Sequence, residues 1–496
     1  MTSKKRSLII VAVFVLSLLV VLGILLLTQV DVTVSSSDDE TVDTTTYVYS
    51  GSRDDIATMV ISNEYGEYTV TQTDGTFTID ELEGLNQNST TLAAAGNCIS
   101  SITAQSLVEE NAENLEKYGL SEDDPTAKVT VTLTDGTVYT VYYGIDSADS
   151  TSSTVYVRLG DSNDVYTVLA NSSRYFYYAK EDFISLIILS ELTSTSTSPT
   201  IDYMIVTRKD LDYDITFEDD TKNYATDEVS MASSQVMTSP VYAYLDITNS
   251  NDVIYGLWGL TAADAICPFP TEEDMDYYGL SDPYCTVYIE AELQTYSLII
   301  GNVASYVTDD SGNDTSEPAY YYGYYEGIDC VYTFAVDDLP WTTFMPVDIL
   351  SSLMTSNYIY RVDYINIEFY EDGETTDYYF DVTADEDEDY LVATYNNEFV
   401  DIDTFKVLYQ FILKCPIDDL CLEDPDEDAE LVCKMEIITE TGGDVLEFYD
   451  DGNNRVTIKM NGTTSFSQPI SYIQTLQTNL ETFVNGGTSD DILMAW

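Results

Sequence analysis

Two carboxylate runs, Asp385-Glu386-Asp387-Glu388-Asp389 and Glu423-Asp424 with Asp426-Glu427-Asp428, crowd hard oxygen donors closely enough to share a calcium ion. The ligands that such an ion would take are Asp385, Asp387, Asp389, Asp424, Asp426 and Asp428. Neither run follows the D-x-D-x-D-G…E loop, and Asp309-Asp310-Ser311-Gly312-Asn313-Asp314 fits it no better, so solvated hairpin loops are the competing reading. Tyrosine supplies a second kind of chemistry. Tyr320-Tyr321-Tyr322-Gly323-Tyr324-Tyr325 and Tyr175-Phe176-Tyr177-Tyr178 would put aromatic rings on both faces of a strand. The outward half could anchor a protein partner or stack on sugar rings, against the plainer reading of a tyrosine-rich strand surface.

Catalysis is not expected. The chain has no histidine, which removes the commonest general base, the usual metal ligand and every Ser-His or Cys-His pairing. It also lacks G-x-S-x-G, Walker A and G-x-G-x-x-G motifs, so an ATPase would have to be another chain. Among 88 Asp and Glu some carboxylates must lie close together, so no pair of the glycosidase type is informative. No cofactor is expected beyond the calcium candidate.

The first thirty residues point to location. Lys4, Lys5 and Arg6 precede Leu8 to Leu27, 20 residues without a charge. At about 1.5 Å per residue this stretch is roughly 30 Å long, one hydrocarbon thickness, with its cations expected in the cytoplasm. Thr28-Gln29-Val30-Asp31 follows in place of a small-residue cleavage site, which predicts an uncleaved signal anchor. Beyond Leu27 the other 15 Lys and Arg face all 88 Asp and Glu, a formal charge of −73. That sign repels nucleic acid, anionic headgroups and wall polyanions. With 44% hydrophobic residues and 42 Tyr the chain still has enough apolar surface for a core.

Seven cysteines leave an odd number. Cys285 with Cys330, and Cys415 with Cys421, are candidate bridges, the alternative being small buried side chains.

A unit is written three times. Met59-Val60-Ile61 and Tyr68-Thr69-Val70 read as a hairpin, and Asp74-Gly75 as a tight turn; Ile201 and Val362 open similar stretches, the latter with Asp372-Gly373. A helical stripe follows at Leu92, Ala95, Ile99, Ile102 and Leu107, and again at Phe405, Leu408, Ile412 and Cys415 behind Asp401 and Asp403. The second copy, around Val229 to Leu245, is interrupted by Pro240. Next comes a helix stop: Tyr118-Gly119-Leu120 with Pro125, and Tyr278-Gly279-Leu280 with Pro283. The third copy keeps only Pro425, ahead of the strand Leu431 to Ile437. Each unit ends in a meander, such as Lys128 to Leu133, Val138 to Tyr143, Val155 to Leu159 and Val165 to Leu169, and a short apolar segment.

The expected class is therefore α+β: an N-terminal transmembrane helix followed by about three repeated modules, each an antiparallel sheet covered on one face by helix. The layout runs from a cytoplasmic tail (1–7) through the anchor (8–27) and a Ser/Thr/Asp-rich stalk (28–55) to modules 56–195, 196–355 and 356–487, strung as beads, with a tail at 488–496.

The phrase Leu115 to Leu120, the Asp-Gly hairpin within Val129 to Val141 and the single N-terminal apolar span resemble a bacterial family, the domain of unknown function 4340. The likeness covers Ile56 to Leu189, weakens in the second copy and is partial in the third, which lacks Tyr-Gly. The resemblance implies a single-pass extracytoplasmic protein associated with an ABC-type permease and ATPase, of the kind linked to gliding-motility exporters. It implies no catalytic residues. The expected function is a membrane-anchored, non-catalytic accessory subunit or scaffold; the alternative is a free-standing adhesin or glycan binder using the tyrosine clusters.

Overall fold

Alternating apolar residues start each sheet in the middle. In the computed structural model, which describes residues 46–147, 153–193, 198–220, 232–309, 312–355, 357–385 and 390–496, the strand Ile56–Asn63 buries Ile56, Met59 and Ile61. It pairs with Gly66–Thr73 in the expected register, Met59 opposite Val70 and Ile61 opposite Tyr68. Asp74 (φ 51°) and Gly75 (φ 83°) then form a left-handed two-residue turn into Thr76–Ile79. The helix Ser89–Ser100 follows, capped by Asn88, whose side chain accepts from the Thr91 amide. After it the strand Ser106–Glu109 goes to the far edge of the sheet. The chain returns as Ala127–Leu133 along the free side of the opening strand, with Val60 opposite Thr130. A meander of Val138–Asp146, Thr154–Leu159 and Val165–Leu169 then meets the edge strand and completes eight strands.

The same path is traced twice more. Ile201–Arg208 and Val362–Glu371 open nine-stranded sheets, with Cys285–Ala291 and Leu431–Thr439 as the returning strands beside them. The helices Ile247–Tyr255 and Ile402–Leu413 lead to the edge strands Asp264–Pro268 and Asp419–Leu420. The third module adds a long terminal helix, Ser471–Val484.

These sheets correct the expected class. Among the described residues the chain is mainly β, with three large antiparallel sheets and one of two strands, and strand outweighs helix. Hairpin and meander, each legible locally, are fused by the long-range pairing of opening and returning strands, a step with no local signature. No described helix is long and apolar enough to cross a membrane, and the expected span Leu8 to Leu27 lies outside the described residues. The first helix ends at Ser100, so Ile102 and Leu107 belong to short strands, and Leu107 is exposed. In the second module the described part of the expected helical stretch is instead strand, Ala232–Ser239 and Ala243–Asp246, and the helix starts only behind Asp246, whose carboxylate caps it.

One hydrophobic core, from Ile56 to Ile492, runs through all three sheets in place of separate beads. Short backbone ladders and polar contacts join neighbours. Ile188 N–H donates to the Leu260 carbonyl (3.0 Å) and Ala262 N–H to that of Leu186 (2.8 Å), tying the first module's tail to the second. Between second and third, Asp444 is wholly buried and accepts from the Tyr244 hydroxyl, Asn357 Nδ2 and Asn461 Nδ2. All seven cysteines are free thiols. Cys285 and Cys330 lie on strands separated by two others, and the buried Cys415 contacts Met354 and Gln468 instead of Cys421.

Candidate functional site: an outward tyrosine face

The strand Asp314–Tyr325 sorts its tyrosines by parity. Tyr321 and Tyr325 turn inward and are buried, while Tyr320, Tyr322 and Tyr324 face outward. Gly323 shares the inward face because a Cβ there would come 2.7 Å from the Phe334 ring. The Tyr324 hydroxyl reaches Asp329 at 3.4 Å.

The Tyr-Gly-Leu turn lies over this outer face. Glu272–Tyr277 is a short helix with a Thr271/Asp274 capping box, and Gly279 (φ 74°) reverses the chain so that Leu280 N–H returns to the Met275 carbonyl at 2.8 Å. Leu280 is thereby buried and Tyr278 packs on Tyr322, with ring centroids 4.7 Å apart and planes at 57°. Tyr277 meets Tyr278 edge-on at 5.1 Å and is 73% exposed. Burial, with Cys267 and Tyr322 alongside, raises the Tyr278 phenol above its ordinary pKa, so the ring stays neutral.

Module one repeats the device. Glu116–Tyr118 is a single 3-10 turn, shorter than the helix end expected, and Gly119 (φ 71°) sends Leu120 N–H back to the Leu115 carbonyl at 3.1 Å. Tyr118 packs on Tyr156 at 4.7 Å and 58°. With Ala112, Leu120, Tyr142 and Val165 it forms a second, small core on the outside of the sheet, and Pro125 bridges back to Leu120. Gly144 and Gly301 face these turns, where a Cβ would overlap the carbonyl oxygens of Tyr118 and Tyr278. Pro283 and Pro425 stand just ahead of the returning strands, the latter without such a turn.

A cation distinguishes the two copies. Lys117 Nζ lies 4.5 Å from the Tyr118 ring centroid and 2.7 Å from Glu109 Oε2. Glu109 also accepts from the Tyr118 hydroxyl at 2.6 Å, and Lys117 first, Tyr118 second, hold its carboxyl below the usual range. In the second module the position before the tyrosine is Tyr277, and no Lys or Arg occurs between Lys222 and Arg361.

Among the described residues the calcium candidates are not gathered. Asp387 and Asp389 lie outside the described residues, and Asp385 ends the strand Glu374–Asp385. Asp424 is taken by Thr464 Oγ1 and by Lys459, 2.9 Å away, and both lower its pKa. Asp426 and Asp428 are exposed in the loop beyond. Among the described residues no three His, Cys, Asp or Glu side chains come together as a metal-binding group. The run Tyr175 to Tyr178 turns into core: it forms a 3-10 turn, Phe176 stacks on Tyr143 at 4.8 Å, and Asn63 Nδ2 donates to the Phe176 and Tyr178 carbonyls.

Sequence reasoning marked Tyr278 as a helix stop and missed its outward partner Tyr277. It also missed two buried clamps. Arg208 grips Asp210 through Nε and Nη2 and the Phe344 carbonyl through Nη1 at 2.7 Å. Arg158 holds the Leu120 carbonyl at 3.0 Å over the Tyr142 ring. Scarcity was the available signal, since a cation in so acidic a chain is a natural centre for ordering carbonyls and carboxylates.

A threefold-repeated, mainly β chain with an aromatic outer face is the class defined by these features. Residues 78–305 match the model of the family described as Domain of unknown function (DUF4340), a span that runs from the edge of the first sheet into the meander of the second. Both Tyr-Gly-Leu turns fall inside the matched span, in agreement with the family resemblance of that phrase. No curated protein and no solved structure matches the chain.

Proposed function

We propose that the protein is a non-catalytic scaffold or accessory subunit of an ABC-type transport system, held at the cell membrane by the uncharged stretch Leu8 to Leu27 with the bulk of the chain outside. The observation that carries this reading is the single core shared by three repeated sheets, which presents an aromatic outer face suited to holding a partner. The match to DUF4340 is in keeping with the family resemblance from which the transporter association is drawn. A glycan-binding surface protein is the second reading, favoured by the exposed ring of Tyr277.

Affinity purification from mildly crosslinked, detergent-solubilised membranes tests the first reading. Recovery with a multi-span permease and an ATPase is the expected result. Recovery of the chain alone, or protection of its bulk from protease added to intact cells, overturns it.

A further inference from the structure

We infer that the Tyr277, Tyr278 and Tyr322 rings form a receptor for a lysine or arginine side chain on a partner protein. The inference rests on the scaffold reading and names the chemistry of its docking surface. The internal repeat carries it. Tyr118 on Tyr156 and Tyr278 on Tyr322 are the same aromatic pair, at the same centroid distance of 4.7 Å and interplanar angles of 58° and 57°. In the first module the pair is served by the chain's own Lys117, whose ammonium sits over the Tyr118 ring. Elsewhere too the scarce cations lie over tyrosines, Arg158 over Tyr142 at 3.9 Å and Arg174 over Tyr175 at 4.9 Å.

The second module keeps the rings without a lysine at the position of Lys117, and its described Lys209 is engaged by Asp282 at 2.6 Å, beyond the turn. Its sequence contains neither Lys nor Arg from 223 to 360, and the position equivalent to Lys117 is the outward-standing Tyr277. The short helix leading into the cluster presents Glu272, Glu273 and Asp276 to solvent, a negative rim that would attract and orient an approaching cation. A second copy of this chain is excluded as occupant by its own charge of −70, and polyanions by the same sign. A basic segment of another protein is complementary both to the rim and to the ring faces.

The test uses the full chain in neutral detergent at about 0.15 M salt, where screening acts over about 8 Å. Fluorescein-labelled hexaarginine amide is the probe and polarisation the readout. Tyr277→Lys would rebuild the arrangement of the first module, filling the receptor from within, so it should weaken binding about tenfold. Tyr65→Lys makes the same charge change at a tyrosine 65% exposed elsewhere and should change affinity less than about twofold. Because Tyr277 is mostly exposed, its variant should melt with the parent, which separates lost binding from lost folding. Equal weakening by both substitutions overturns the inference in favour of diffuse attraction to an acidic surface. So does competition by neutral maltoheptaose that Tyr277→Lys abolishes, which would make the face a sugar site. If the receptor fails while the permease still co-purifies, the scaffold reading survives; if the receptor holds and the chain is recovered alone, the scaffold reading falls.

Discussion

The Tyr244 hydroxyl sits 2.8 and 2.9 Å from the two carboxylate oxygens of Asp444, 200 residues further along the chain. Both residues are buried, and Asn357 Nδ2 (2.7 Å) and Asn461 Nδ2 (3.0 Å) converge on the same carboxylate. Burial, with Asp444 beside it, pushes the Tyr244 phenol well above its ordinary pKa, so it remains a donor at any ordinary pH. The contact spans the seam between the second and third modules.

Tyr244→Phe should therefore destabilise the protein by about 1–3 kcal/mol, the range for a buried polar group losing one partner. Asp444→Ala should cost more, because it leaves three donors without that acceptor at once. Urea denaturation of both single variants and the double variant measures their coupling. Additive losses would mean that the pair does not hold the seam.

Gly144→Ala and Gly301→Ala should each loosen one Tyr-Gly-Leu turn. The added methyl meets a backbone carbonyl, of Tyr118 or Tyr278, which cannot rotate away. Overpacking of this kind costs about 1–3 kcal/mol. Faster hydrogen exchange should be confined to 112–126 in the first variant and to 272–284 in the second. Unchanged exchange there would show that the turns tolerate a side chain.

Arg208→Lys should fail to preserve stability although charge is kept. The guanidinium serves two Asp210 oxygens and the Phe344 carbonyl together, and an ammonium cannot span that fork. A loss of about 1–3 kcal/mol is expected, with the segment 340–350 becoming protease-sensitive. Wild-type resistance in the lysine variant would show that charge alone suffices.

Salt and acid should act in separable ways. With a formal charge of −70, raising ionic strength from about 0.01 to 0.5 M at pH 7 should raise the melting temperature by screening self-repulsion. The helix cap Asp401 responds to acid. Its carboxylate accepts from the Thr404 hydroxyl and amide at 2.7 and 2.9 Å, and these bonds hold its pKa below the usual value. A depressed folded-state pKa gives stability that is present above the ordinary carboxylate range and disappears as pH falls through the folded value. The melting difference between wild type and Asp401→Ala should accordingly close in acid and stay open at pH 7. A difference independent of pH would rule out the carboxylate as its source.

Part of this fold was readable residue by residue. Met59 to Val70 could be paired because alternation and turn chemistry act over a few residues, and Asp401 could be named as a cap because capping is local. Reading the Val229 to Leu245 stretch as helix failed over 232–245 because tertiary pairing there turned it to strand, and the helical stripe reaching Leu107 overran because the last turn was released to build an edge. The tyrosine run was half legible. Parity foretold rings on both faces of the strand, but not that Tyr320, Tyr322 and Tyr324 would be the outward half or that Tyr277 and Tyr278 would join Tyr322 across the chain.

By itself the sequence determined the threefold repeat, the hairpins, the glycine-reversed turns and an overwhelmingly negative charge, since each depends on neighbouring residues or on composition. Only tertiary structure decided that hairpin and meander fuse into single sheets, that Tyr244 finds Asp444, and that Lys117 covers one aromatic pair while the exposed Tyr277 stands against its counterpart. Those outcomes depend on which distant strands lie side by side, and pairing over such separations is selected by burial of the whole core, not by any short run of residues.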